Sequence, residues 1–91
     1  MVQSKIGDEV LMKIIRVRCI QSFVEKNIEQ TEVLAEVFEG NEYEAELYKE
    51  TNEYFAKDYE GREFLVGELK IDCLGSHKIK LGNEFELIES K

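Results

Sequence analysis

Apolar and polar residues alternate along much of this chain, and the alternation is cleanest between Thr31 and Lys49. Val33, Ala35 and Val37 share one parity. Tyr43, Ala45 and Leu47 share another, and Glu39-Gly40-Asn41 stands between the two runs. Period-two patterning broken by a Gly-Asn turn predicts a β-hairpin. Its register follows from burial. A two-residue loop at Gly40-Asn41 would set Val37 against Glu44 and Ala35 against Glu46, which puts carboxylates on the apolar face. A three-residue loop sets Val37 against Tyr43, Ala35 against Ala45 and Val33 against Leu47. Asn41 tolerates the left-handed conformation that this loop needs. A slip of one residue would invert every side chain, so the three-residue register is expected.

The other segments read as strands around this hairpin. Residues 5–24 predict one long first strand, entered through Lys5-Ile6-Gly7-Asp8-Glu9-Val10. Val10, Met12 and Ile14 share a parity, while Ile15, Val17 and Cys19 share the opposite one. The switch predicts a bulge near Ile14 and Ile15. After it, Arg16 and Arg18 point outward. Residues 25–29 read as a loop. Residues 51–60 predict a short helix, capped by Thr51 or Asn52 and ended by Gly61, with Phe55 and Tyr59 on one face and Glu53 beside Lys57. Residues 62–73 form the next strand, where parity switches at Gly67, the mark of a second bulge. Gly75-Ser76 makes a turn. Ile79, Leu81, Phe85 and Leu87 carry one parity toward the end, and Gly82-Asn83 either continues this strand or splits it in two.

The expected class is therefore all-β with one short helix: a small five-stranded antiparallel barrel spanning residues 1–91 as a single domain. The order strand-strand-strand-helix-strand-strand, with a long bent first strand, resembles the OB-fold barrel in topology. An SH3-like barrel or an open antiparallel sheet are the other architectures the pattern allows.

Charge adds a second layer. The formal net charge is −8, and it is uneven. Residues 1–26 hold five basic and three acidic groups, residues 27–68 hold three and thirteen, and residues 69–91 hold four of each. The acidity belongs to the middle of the chain, which disfavours unspecific binding to phosphate backbones and favours a basic partner. Cys19 and Cys73 each sit in an apolar strand pattern and read as buried free thiols; a disulfide between them is the other reading. No stretch approaches the length of a membrane span and no secretory leader is evident, so a cytoplasmic protein is expected.

Candidate chemistry is sparse. His77 is the single histidine, and nothing ties it to a nucleophile. No phosphate-cradling glycine loop and no zinc-type cluster occurs, so neither an enzyme nor a metal or other cofactor is expected. A cation between Glu36 and Glu44 lacks EF-hand spacing. The hairpin register puts Glu32, Leu34, Glu36 and Phe38 beside Glu42, Glu44, Glu46 and Tyr48 on its second face, with Glu36 opposite Glu44. Such a face is either solvated and neutralised by Arg16 and Arg18, or an acidic recognition surface with Leu34, Phe38 and Tyr48 as anchors. The expected function is a non-enzymatic protein-binding module for a basic partner, of inhibitor, immunity or assembly-subunit type. The alternative is nucleic-acid binding, as the OB resemblance implies, through a separate patch of Arg16, Arg18, Lys70, Lys78 and Lys80. A homo-oligomer with Leu34 and Phe38 at its contact is a third arrangement.

Overall fold

A computed structural model describes residues 13–90. The fold is all-β and barrel-like, a nearly closed antiparallel sheet wrapped around one core. Eight strands run in chain order: β1 (Ile14–Cys19), β2 (Phe23–Lys26), β3 (Val33–Val37), β4 (Glu42–Tyr48), β5 (Glu53–Lys57), β6 (Glu63–Ile71), β7 (His77–Leu81) and β8 (Phe85–Ser90). Six form a sheet in the order β7-β6-β5-β4-β1-β8, and β2 pairs with β3 as a separate ribbon. The ribbon packs on the inner face of the sheet. Its Ala35 and Val37 join Ile15, Val17, Cys19, Ala45, Tyr54, Phe64, Val66 and Phe85 in one buried cluster. Phe23 of β2 meets Phe64 and Phe85 edge-on, with centroids 6.2 and 5.7 Å away. Edge-to-face rings satisfy the ring quadrupole while burying large apolar area.

Alternation selects the inward residues as expected. Ile15, Val17 and Cys19 are buried while Arg16 and Arg18 face out, and Ala35, Val37 and Ala45 are buried. The expected hairpin, however, does not form. β3 pairs with β2, and β4 pairs with β1 and β5. The turn between β3 and β4 exists, with Gly40 at φ 90°. It is captured by the end of β1: Gly40 N–H donates to the Cys19 carbonyl at 2.8 Å, and Cys19 N–H donates to the Asn41 carbonyl at 2.9 Å. This anchorage sends the chain from one layer to the other. The two apolar faces then meet through the core rather than side by side in one sheet.

The expected long first strand is also two strands. Beyond Cys19 the chain turns away through residues 20–22 and re-enters as β2, whose Glu25 and Lys26 fall in the expected loop. The bulge expected near Ile14 and Ile15 does not form, because β1 pairs with β4 in unbroken register through both residues; a register shift occurs instead in the pairing with β8, where Arg16 faces Glu89 and Val17 faces Leu87. The extra residue, Ile88, therefore belongs to β8. The entry turn at Lys5–Val10 and the parity of Val10 and Met12 lie outside the described residues.

No helix forms over residues 51–60, and among the described residues the strands number eight rather than five. Tyr54 and Ala56 are buried while Phe55 is half-buried and Lys57 exposed, which is period two and not a helical face. Two turns flank this strand. At Asn52 (φ 58°), both Thr51 N–H and Asn52 N–H donate to the Tyr48 carbonyl. At Gly61 (φ 81°), Gly61 N–H donates to the Asp58 carbonyl. A left-handed glycine ends helices and also closes hairpin turns, so Gly61 alone does not discriminate between them.

The bulge at Gly67 is present. Tyr54 faces Gly67 and Phe55 faces Leu65, leaving Val66 extra, so Val66 and Gly67 are both buried. A Cβ on Gly67 would lie 2.5 Å from the Lys80 carbonyl oxygen and 2.9 Å from Leu81 Cα. Only glycine lets β7 approach this closely. Gly82-Asn83 splits the last segment into β7 and β8. The ends of β6 and β7 overhang the core as a hairpin whose residues 70–78 are all exposed. For that reason Cys73, expected to be buried, is exposed, whereas Cys19 is buried; both are free.

Candidate partner-binding surface

The β5–β6 turn, Asp58-Tyr59-Glu60-Gly61-Arg62, builds a surface that neither strand would make alone. Asp58 N–H donates to the Arg62 carbonyl at 2.9 Å, closing the turn. Its carboxylate then accepts four hydrogen bonds. Oδ1 takes the N–H groups of Glu60 and Arg62, each at 2.9 Å. Oδ2 takes Arg62 Nε at 2.8 Å and the Glu36 N–H of β3 at 3.0 Å. The side chain has no exposed surface. Burial pushes the Asp58 carboxyl up, but the N–H groups of Glu36, Arg62 and Glu60 and the Arg62 guanidinium outweigh it. The group is held down to about 2 from its ordinary 3.8. The Arg62 guanidinium is disfavoured by its own burial, yet the Asp58 hydrogen bond and charge hold its pKa above the usual arginine value.

Arg62 extends this clasp. Nη1 reaches the Val33 carbonyl at 3.5 Å, and Nη2 stands 3.6 Å from Glu36 Oε1. The guanidinium lies 5.6 Å from the centroid of the Tyr59 ring, a cation–π contact. Tyr59 O–H donates to Glu36 Oε1 at 2.7 Å, and this bond, then burial, raises the phenol above its ordinary pKa. The ring also sits 6.0 Å from that of Phe38, tilted by 41°. Side chains thus take up the Val33 carbonyl and the Glu36 N–H at the free edge of β3, and just beyond the strand Phe38 N–H donates to Tyr43 Oη at 3.3 Å. Occupied edge groups cannot template another strand.

The result is a fixed but open apolar group. Leu34 and Phe38 are each 45% exposed and Tyr59 65%. Glu32, Glu39 and Glu60 are exposed nearby and have no ion-pair partner among the described residues.

Of the sequence-derived candidates, Glu32, Leu34, Glu36 and Phe38 belong to this surface. Glu42, Glu44, Glu46 and Tyr48 do not: they project from β4, on the outer face of the six-stranded sheet. Glu36 and Glu44 lie in different layers, so they hold no cation together. Arg16 lies 3.5 Å from Glu42, 4.0 Å from Glu44 and 3.7 Å from Glu89. Arg18 reaches Glu42 at 3.2 Å and Glu86 at 3.1 Å, and these two hydrogen bonds raise its pKa. Tyr48 O–H donates to Glu63, which raises that phenol too, and the Tyr48 ring lies 4.8 Å from Phe55. Neutralisation by Arg16 and Arg18 thus occurs on β4 and leaves the β3 surface untouched.

The five basic candidates are spread over three strands of the sheet. Arg16 and Arg18 are on β1, Lys70 is on β6, Lys78 and Lys80 are on β7, and β4 and β5 lie between. Lys70 faces Lys78 directly and pairs with Glu68 at 2.7 Å; the Lys70 hydrogen bond and charge lower the Glu68 pKa. His77 is exposed on β7 opposite Ile71. Among the described residues no helix is long and apolar enough to cross a membrane, and no three His, Cys, Asp or Glu side chains are grouped to hold a metal.

Asp58 and Arg62 are not marked out by the sequence pattern, and Tyr59 only as the partner of Phe55 on an expected helical face. Their signal was the Asp-x-x-Gly spacing, which recurs as Asp72-Cys73-Leu74-Gly75. There Asp72 Oδ1 accepts Leu74 N–H and Ser76 N–H, each at 2.9 Å. Asp opening a type I turn and Gly closing it in the left-handed conformation form a hairpin signature. Comparison of the chain with protein families, with curated proteins and with solved structures gave no match.

Proposed function

We propose that this chain is a non-enzymatic protein-binding module whose β3 surface, centred on Phe38 and Tyr59, engages a basic partner. The observation that carries the reading is the exposed Phe38–Tyr59 ring pair with Leu34, near Glu32, Glu39 and Glu60, which have no ion pair among the described residues. Aromatic groups held rigid before binding lose little entropy on contact. The negative charge of Glu32, Glu39 and Glu60 would speed encounter with a positive surface. An inhibitor, an immunity-type protein or an assembly subunit would use such a surface in this way. Two free cysteines suit a reducing compartment such as the cytoplasm. Nucleic-acid binding receives less support, because the basic side chains are dispersed and largely matched by carboxylates.

The test is affinity capture from source-cell lysate with the native chain and with a Phe38→Ser/Tyr59→Ser variant of verified fold. A partner of basic isoelectric point, retained by the native chain at low salt and lost by the variant, supports the reading. Equal capture by both chains sinks it.

A further inference from the structure

On the opposite layer the outer face of the sheet carries a second arrangement, independent of the Tyr59 surface. The cross-strand register aligns Ile14 of β1, Glu46 of β4, Phe55 of β5 and Leu65 of β6 in one row. The row is apolar except for Glu46. Other carboxylates of β4 have arginines across the strand gap: Glu42 faces Arg18 and Glu44 faces Arg16. Glu46 instead has Ile14 on one side and Phe55 on the other, and it makes no ion pair or hydrogen bond among the described residues. Beside it, the rings of Tyr48 and Phe55 meet at 4.8 Å with a tilt of 53°. Together with Glu44, Lys57 and Glu63 these residues line a cleft of about 470 Å³. Lys57, the cation in its wall, already faces Glu63 across the strands. Leu65 does not line the cleft but stands next to Phe55 in the row, 47% exposed.

We infer that the Glu46–Phe55 cleft receives a lysine or arginine side chain from an extended segment of another protein. Charge complementarity selects the occupant. A long cationic side chain lays its aliphatic stem along an apolar surface while its head seeks a carboxylate. Phe55 offers the surface, which Leu65 extends beyond the cleft, Glu46 is a carboxylate without an ion pair among the described residues, and the aromatic rings of Tyr48 and Phe55 attract a cation. An anionic or purely apolar segment would leave Glu46 desolvated and unpaired.

The probe is an acetylated, amidated hexapeptide of alternating leucine and arginine, with the citrulline-for-arginine peptide as its isosteric neutral partner. Each is titrated into ¹⁵N-labelled protein and followed by amide chemical shifts in the native chain, Glu46→Gln, Phe38→Ser and the loop variant Glu29→Gln. The inference expects saturable shifts at Glu46, Tyr48, Phe55 and Leu65. It expects binding weakened roughly tenfold or more by Glu46→Gln and by citrulline, and unchanged by Glu29→Gln. Binding that ignores Glu46→Gln, equal binding of the citrulline peptide, or no saturable shift in the cleft overturns it. Shifts confined to the neighbourhood of Phe38 and Tyr59, and abolished by Phe38→Ser, overturn it while supporting the β3 surface. Shifts in the cleft alone do the reverse.

Discussion

Asp58 Oδ2 accepts the backbone N–H of Glu36 at 3.0 Å, and this hydrogen bond joins the β5–β6 turn of the sheet to the β3 strand of the ribbon. The same carboxylate shapes its own turn and neutralises Arg62. One buried side chain therefore sets both the spacing of the two layers and the position of Tyr59 next to Phe38.

Replacing Asp58 by Ala leaves three backbone N–H groups and the Arg62 guanidinium without their acceptor. Stability should fall by roughly 2–4 kcal/mol, the cost of unsatisfied buried donors, one of them charged. Asp58→Asn keeps an oxygen for the turn but loses the charge, so its loss should be smaller. Urea unfolding of the three proteins orders them as native, Asn, Ala.

The pH dependence follows from the same group. Its folded pKa, about 2, lies below the ordinary 3.8. The folded state therefore favours the ionised carboxylate, and its contribution is complete above about pH 4. As pH falls from about 4 through about 2, protonation removes it. The stability gap between the native chain and Asp58→Asn should be constant near neutrality and shrink across that window. A gap independent of pH down to the lower limit would contradict the assignment.

Gly67→Ala tests the bulge. The added methyl would meet the Lys80 carbonyl at 2.5 Å, so β7 must shift. A loss of roughly 1–3 kcal/mol is expected from overpacking against backbone, with faster amide exchange in β7. Gly40→Ala meets nothing within 4 Å, and its cost is the strain of φ +90° alone. That should be about 1 kcal/mol. The ordering of the two variants in thermal unfolding checks both explanations.

Tyr59 should titrate late. Its O–H is donated to the Glu36 carboxylate, so ionising it loses that bond and sets two negative charges together. Following tyrosinate absorbance against pH, Glu36→Gln should bring one phenol back toward its ordinary 10.0. Tyr59→Phe should remove that late-titrating phenol altogether.

The two thiols should differ in reactivity. Cys73 is exposed on the β6–β7 hairpin and Cys19 is 0% exposed. An aromatic disulfide reagent should modify Cys73 rapidly in the folded chain and reach Cys19 only on unfolding. Equal rates under native conditions would contradict the burial of Cys19.

Much of the local reading was legible. The inward residues of β1, β3 and β4, the bulge at Gly67 and the turns at Gly40 and Gly75 follow from alternation and from glycine placement. Legibility failed where two structures share one local signal. Glu53–Lys57 carries a helical i,i+4 charge pair and Phe55/Tyr59 spacing, yet its burial alternates. Gly61 suits a helix end and a hairpin turn alike, and the Asp58 that precedes it decided the outcome.

What the sequence determined by itself is therefore the parity of each strand and the places where the chain can turn, because these depend on side chains a few residues apart. The tertiary structure decided which strands pair. Val33–Val37 and Glu42–Tyr48 are neighbours in the chain with matching apolar patterns. Yet Cys19 binds the turn between them and directs them into different layers, with Arg16 and Arg18 across from the carboxylates of β4. Strand pairing depends on contacts between distant residues, and burial is satisfied equally well when two apolar faces meet through a core or lie together in one sheet. For the same reason the single acidic face expected from the sequence is divided into two surfaces, one around Phe38 and Tyr59 and the other around Glu46 and Phe55.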